Sequence, residues 1–167
     1  DDGSCTYDSQ TPDEFAFNQS TLQAFYFIID ATIEGEPIVI NEDYLAAFNG
    51  DICVGSELWA GPYTEIGAMG DDGEEYSDGY LNIGDIPTFK IYDSSAEEFY
   101  DAVPGALTDF EFGGSEDLEF VINQFYYLES LNGTSLLSYT IPLHYGANLV
   151  SFYALPDNTS IGNVMSS

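Results

Sequence analysis

Residues 44–55 read YLAAFNGDICVG. Apolar residues flank Asn49-Gly50 on both sides, and an Asn-Gly pair supplies the positive φ angles of a tight hairpin turn. The stretch predicts two antiparallel strands joined at Asn49-Gly50. Downstream, Asp85-Ile86-Pro87 leads into Thr88-Phe89-Lys90-Ile91-Tyr92. There Phe89 and Ile91 share one face, and Thr88, Lys90 and Tyr92 the other. Upstream, Ala31–Ile33 and Ile38–Ile40 are separated by the turn signal Glu34-Gly35-Glu36-Pro37. Phe15/Phe17 and Phe25/Phe27/Ile29 alternate on either side of Asn18–Thr21, which predicts two more strands. Residues 61–79, rich in glycine and acids, read as loop. Asp109–Phe112 alternates sharply, and Leu118–Tyr127 predicts another strand. Helical periodicity is weak, and only Asn123–Leu131 and Asn158–Met165 suit a short helix. Many short alternating runs between Gly, Pro and Asp turns predict an all-β fold: an antiparallel β-sandwich, with a long acidic loop, or a barrel.

At 167 residues the chain suits one domain, or one domain and part of another. Thirty Asp and Glu face a single basic side chain, Lys90, for a net charge of -29. A nucleic-acid groove and docking on an anionic membrane both need Lys or Arg, so those classes are excluded. Phosphoryl transfer lacks its usual cationic clamp. Disorder is excluded too, because 16% of the residues are aromatic. A folded surface of one sign repels itself. The compensation is expected from dissolved salt or divalent cations, as in a saline or calcium-replete extracellular setting. No run of 18 apolar residues exists, so no transmembrane helix is expected. The start at Asp1-Asp2, without a basic-led signal peptide, reads as a processed product or a segment of something longer.

The densest acids are Asp71, Asp72, Glu74, Glu75 and Asp78, with Asp85 close behind. Calcium takes six to eight hard oxygens, and Gly70, Gly73 and Gly79 let such a loop wrap tightly. The spacing is not that of an EF-hand. The plainer reading is a solvated acidic loop. Asp1, Asp2 and Asp8 around Gly3 form a smaller candidate. Paired carboxylates can hydrolyse glycosides, yet Trp59 is the only Trp available for a sugar groove. Tyr63, Tyr76 and Tyr80 either stack on a glycan or pack a sheet rim. His144, the sole histidine, has no partner spacing for zinc or for a triad. Cys5 and Cys53 form no CxxC. A 5–53 disulfide, pairing of Cys5 with an upstream residue, and a buried free Cys53 thiol all stay open. Sequons stand at Asn18, Asn132 and Asn158.

Three segments carry a resemblance. DDGSCTY (1–7) resembles the closing part of short Asp-rich repeats related to thrombospondin type 3 calcium repeats. That implies a Cys5 paired within its own repeat and Asp side chains on calcium. DYLAAFNGDICVG (43–55) with GDIPTFKIYDSSAEEFYDAV (84–103) resembles an immunoglobulin-like β-sandwich module of secreted or cell-surface bacterial proteins. Asp43, Ala47, Phe48, Gly50, Cys53 and Gly55 fit its pattern, as do Phe89, Lys90, Tyr92 and Asp93. The resemblance implies a scaffold or adhesion role and no catalytic residue. GANLVSFYALPDNTSIGNVM (146–165) looks like the opening strand of another such module.

The expected organisation is an acidic linker or repeat tail over 1–14, a sandwich over 15–139, and a late strand or following module over 140–167. The expected function is an extracellular, non-enzymatic structural or adhesive module stabilised by calcium; a carbohydrate-binding accessory module is the alternative. Residues 149–155 are a candidate strand for pairing with a neighbouring module or subunit, or within the domain's own sheet. Glycans are candidate partners; nucleic acid and membrane insertion are not.

Overall fold

A computed structural model describes residues 11–108 and 117–135. All of them lie in Asp1–Leu136, one of two units into which the chain divides. The expectations for Asp109–Phe112, for His144 and for the strand at 149–155 fall outside the described residues. So do those for the helix at 158–165, for Cys5, and for Asp1, Asp2 and Asp8.

The described fold is all-β. Ten strands run β1 (Gln23–Ile28), β2 (Ala31–Ile33), β3 (Glu36–Pro37), β4 (Tyr44–Asn49), β5 (Ile52–Leu58), β6 (Thr64–Met69), β7 (Thr88–Asp93), β8 (Glu98–Pro104), β9 (Phe125–Leu128) and β10 (Leu131–Thr134). They form a three-stranded sheet, β6-β1-β9, and a seven-stranded sheet, β3-β2-β10-β8-β7-β4-β5. The two sheets contact each other in a sandwich-like arrangement, with Ala24, Tyr26, Ile28, Leu45, Phe89, Ile91, Tyr126 and Leu128 in one shared core. Pairing is mainly antiparallel, as expected, but both sheets are mixed, because β1–β9 and β2–β10 are parallel.

Those two parallel pairs are one feature. Phe25 faces Phe125, Ile28 faces Leu128, and after the crossing Ala31 faces Leu131. The offset is 100 residues in both sheets (125 − 25 and 131 − 31). Hydrogen bonds from Ile29 N–H to Leu128 O and from Leu131 N–H to Asp30 O carry the ladder across the gap. Two segments of the chain thus pass together from one sheet to the other. This overturns the short helix expected over Asn123–Leu131: pairing with β1 and β2 needs extended backbone. It also shortens the strand expected over Leu118–Tyr127 to Phe125–Leu128.

The hairpin at 44–55 is present, with its turn one residue further on. Asn49 pairs with Ile52, so Gly50 and Asp51 are the central residues. Gly50 takes φ +60°, at the first central position, where a type II′ turn wants glycine. A bulge between Ala47 and Phe48 shifts the register. In β7, Phe89 and Ile91 are buried and Thr88 is exposed, as alternation predicts. The Glu34-Gly35 turn also forms, both residues at positive φ, although Ile38–Ile40 adds no strand after it.

Two further expectations are corrected. Phe15–Phe17 is not a strand: Asp13–Phe15 is a single 3-10 turn. Thr64–Met69, expected as loop, is strand β6. Glycine misled there, because it marks a close backbone approach rather than a turn. A Cβ on Gly55 of β5 would run into the Gly67 carbonyl of β6. Gly55→Ala is therefore expected to destabilise by about 1–3 kcal/mol, the range for overpacking against rigid backbone. A melting curve matching the parent's would show that the two strands can separate.

Candidate functional site

Among the described residues, one surface groove combines a cation, acids and an aromatic ring. It encloses about 560 Å3 and is lined by Lys90 of β7, Glu97 to Asp101 at the start of β8, and Thr134 and Ser135 at the end of β10. Antiparallel register builds it: Lys90 stands opposite Asp101, and Asp101 opposite Thr134. Lys90 Nζ lies 3.8 Å from Asp101 Oδ1 and 5.1 Å from the centre of the Phe48 ring. Tyr100 donates its hydroxyl to Glu98 Oε2 at 2.8 Å, and that bond raises the phenol's pKa. Glu34 accepts from the Ser135 amide and hydroxyl at 2.6 and 2.8 Å. A partly exposed ion pair of this kind contributes little stability. Its interest is that it holds the chain's sole basic side chain.

The acidic connection between β6 and β7 is held by hydrogen bonds to its own carboxylates. Asp72 is its hub. Its Oδ2 accepts from Thr21 N–H at 3.0 Å, Thr21 Oγ1 at 3.0 Å and the Tyr76 hydroxyl at 2.9 Å. Its Oδ1 accepts from Ser77 Oγ at 2.7 Å and Glu74 N–H at 3.3 Å. These donors, the Thr21 amide first and the Ser77 hydroxyl next, hold the carboxyl well below the usual carboxylate range. Asp71 Oδ1 accepts from Gly73 N–H, and Asp85 Oδ2 from Asn82 N–H. Among the described residues no three His, Cys, Asp or Glu side chains converge as a cation site requires. The Asp72 oxygens are engaged by five donors of the protein itself.

An acid titration checks the hub. A carboxyl with a depressed folded pKa stabilises fully above its unfolded value of about 3.9 and loses that contribution as pH falls through the folded value. Asp72→Ala is expected to melt below the parent at pH 7, and the gap should close as pH drops below about 4. A gap that stays constant down to pH 2 would show that the carboxylate charge is not what binds Thr21.

The tyrosines near this loop are each bonded to another part of the protein. Tyr80 is buried and its oxygen accepts from the Asn18 amide at 2.7 Å. Tyr76 is spent on Asp72, and Tyr63 enters β6 at φ +71° with its amide bonded to Ile28 O. Trp59 lies in the core. Cys53 is a buried free thiol whose Sγ lies 3.7 Å from Gly55 O, and burial pushes it up to about 11. The sequon residue Asn132 is tied down on both sides, to Ser130 Oγ and Thr32 Oγ1.

Sequence reasoning missed an aromatic ladder on the outer face of the three-stranded sheet. Phe25 stacks on Phe125 with centroids 5.0 Å apart, and Phe27 on Tyr127 at 4.9 Å. Beneath it, in the core, Tyr26 stacks on Tyr126 at 4.8 Å with planes 10° apart. The signal was FYFI at 25–28 and FYYL at 125–128, two matching tetrapeptides.

No family model matches this chain. No curated protein and no solved structure is significantly similar to it.

Proposed function

We propose that the chain is a non-catalytic structural or adhesive module of an extracellular multimodular protein or filament, built on an immunoglobulin-like sandwich plan. One observation carries the reading: the central carboxylate of the acidic loop and the buried Asp43 are engaged by the protein itself. The Asp72 carboxylate is filled by five donors from its own chain. Asp43, buried, accepts from Val39 N–H at 2.7 Å and Ser94 N–H at 3.0 Å, tying two loops together. The outward aromatic rings stack face to face along the ladder, which leaves their edges outward; a sugar platform presents ring faces. Calcium in this reading acts with other cations as a diffuse counter-charge to the acidic surface, without a built ligand shell among the described acids.

The carbohydrate-binding alternative is favoured by one residue, Phe125, whose ring ends the ladder and is half exposed. A glycan array probed with the purified chain separates the two. The structural reading expects no selective binding. Selective binding that Phe125→Ala abolishes, with the fold kept, would establish the alternative instead.

A further inference from the structure

The sequence holds two Asn-Gly pairs, Asn49-Gly50 and Asn132-Gly133. Glycine has no Cβ to shield its nitrogen, so that nitrogen can approach the side-chain amide of a preceding asparagine. The fold places the two pairs differently. Gly133 is buried in β10, which runs between β2 and β8 and is bonded to both. Gly50 is exposed at the tip of the β4–β5 hairpin at φ +60°, and among the described residues its N–H makes no backbone hydrogen bond. Asn49 fastens that tip to the acidic connection. Its Nδ2 donates to Gly79 O at 3.0 Å and to Tyr80 O at 3.2 Å. The approach is close: a Cβ on Gly79 would run into Ile52 Cδ1 of β5. The Tyr80 oxygen in turn accepts from the Asn18 amide, so the Asn49 contact also steadies the segment that leads into β1.

We propose that Asn49 is a site of spontaneous deamidation, and that its conversion to aspartate or isoaspartate unfastens the hairpin tip from residues 79–80. Solvent base takes the Gly50 amide proton, and the nitrogen attacks Asn49 Cγ. The new N–Cγ bond closes a succinimide ring, and the Cγ–Nδ2 bond breaks as ammonia leaves. Water then opens the ring at Cγ to give aspartate, or at the backbone carbonyl to give isoaspartate. Nothing is oxidised or reduced, and water is the only co-reactant, whatever the module does. The two Nδ2 bonds must open before the ring closes, which a hairpin tip does by local fraying. The same step at Asn132 needs a strand inside the seven-stranded sheet to part. Aspartate replaces the Nδ2 donor with a carboxylate oxygen beside the Gly79 and Tyr80 carbonyls, so two hydrogen bonds become repulsions. Isoaspartate also lengthens the backbone at the end of β4. Asp51 and Asp78 are chain neighbours of the contact, and a further negative charge there adds to the self-repulsion.

The full chain is incubated folded in mildly alkaline buffer, with a parallel sample in urea, and both are followed by peptide mass mapping. In the folded chain Asn49 is expected to convert on the order of ten-fold faster than Asn132, whose strand must open first. In urea the two should convert at similar rates. The melting temperature of the folded sample should fall in step with conversion at Asn49. Asn49→Asp made directly should melt below the parent by about 2–4 °C, the shift for loss of a partly exposed hydrogen-bonded contact. Asn49→Gln, which keeps an amide but closes a ring far more slowly, should hold its own starting melting temperature over the same incubation. Asn132 converting as fast as Asn49 in the folded chain overturns the proposal, and so does an Asn49 that stays intact while the urea sample is converted. An Asn49→Asp variant that melts with the parent overturns the fastening role.

Discussion

Tyr126→Ala is expected to lose about 4 kcal/mol, within the range for deleting a buried aromatic ring. Domains of this size are stable by roughly 5–15 kcal/mol, so the variant should keep only about 1–11 kcal/mol and melt far below the parent. Three losses combine. The ring leaves a hole in the core, where Tyr126 is buried against Tyr26. The stack itself is worth about 1 kcal/mol beyond area. The Tyr126 hydroxyl also donates to Glu119 O, and Tyr26 donates to Leu118 O at 3.1 Å, so the pair pins the 118–119 backbone over the core. Tyr126→Phe keeps the stack and should cost only about 1 kcal/mol, the net worth of one hydrogen bond. Equal losses in the two variants would show that the hydroxyl and not the ring carries the effect. Burial also raises both phenol pKa values, with each ring's neighbours adding to it. Above the unfolded tyrosine pKa of about 10 the unfolded chain sheds protons that the native state retains, so stability should fall as pH rises past that point. Tyr126→Phe should flatten part of that alkaline fall in urea titrations.

Raising ionic strength should raise the melting temperature steeply, because 30 acids face one lysine. The screening length shrinks from roughly 30 Å at 0.01 M salt to about 3 Å at 1 M, which removes most of the self-repulsion between exposed carboxylates. Each kcal/mol recovered moves the melting point by about 2–4 °C in a domain of this size. Calcium chloride should exceed sodium chloride at equal ionic strength, since a divalent ion neutralises two neighbouring acids. Chelator added in high sodium chloride should change nothing if the effect is diffuse. A sharp drop on chelation there would mean that a specific calcium site stabilises the native state by mass action. A flat melting temperature across all conditions would defeat the repulsion argument itself.

Local chemistry legible in the sequence survived into three dimensions. Asn49-Gly50 marks the hairpin, because only a residue free of Cβ takes the positive φ at Gly50 cheaply. Alternation in TFKIY places Phe89 and Ile91 inward, because a strand's side chains have a period of two. Long-range partners were not legible. Nothing local says that Phe25 meets Phe125, or that parallel pairs break an otherwise antiparallel plan, since pairing across 100 residues is settled by which faces bury together. That same pairing decides that Ala24, Tyr26 and Ile28 go inward while Phe25 and Phe27 stack outside. The glycines at 55 and 67 look like breakers until two strands are seen to touch there. Acid density at 71–78 suggests a cation, while the bonds those carboxylates make within the chain depend on side-chain direction. Asp72 turns to Thr21, 51 residues earlier in the chain, and is satisfied by it. Phe15 read as part of a strand beside a polar tail; its burial exists only because β4, β7 and β8 bring Phe48, Tyr92 and Phe99 together to receive it.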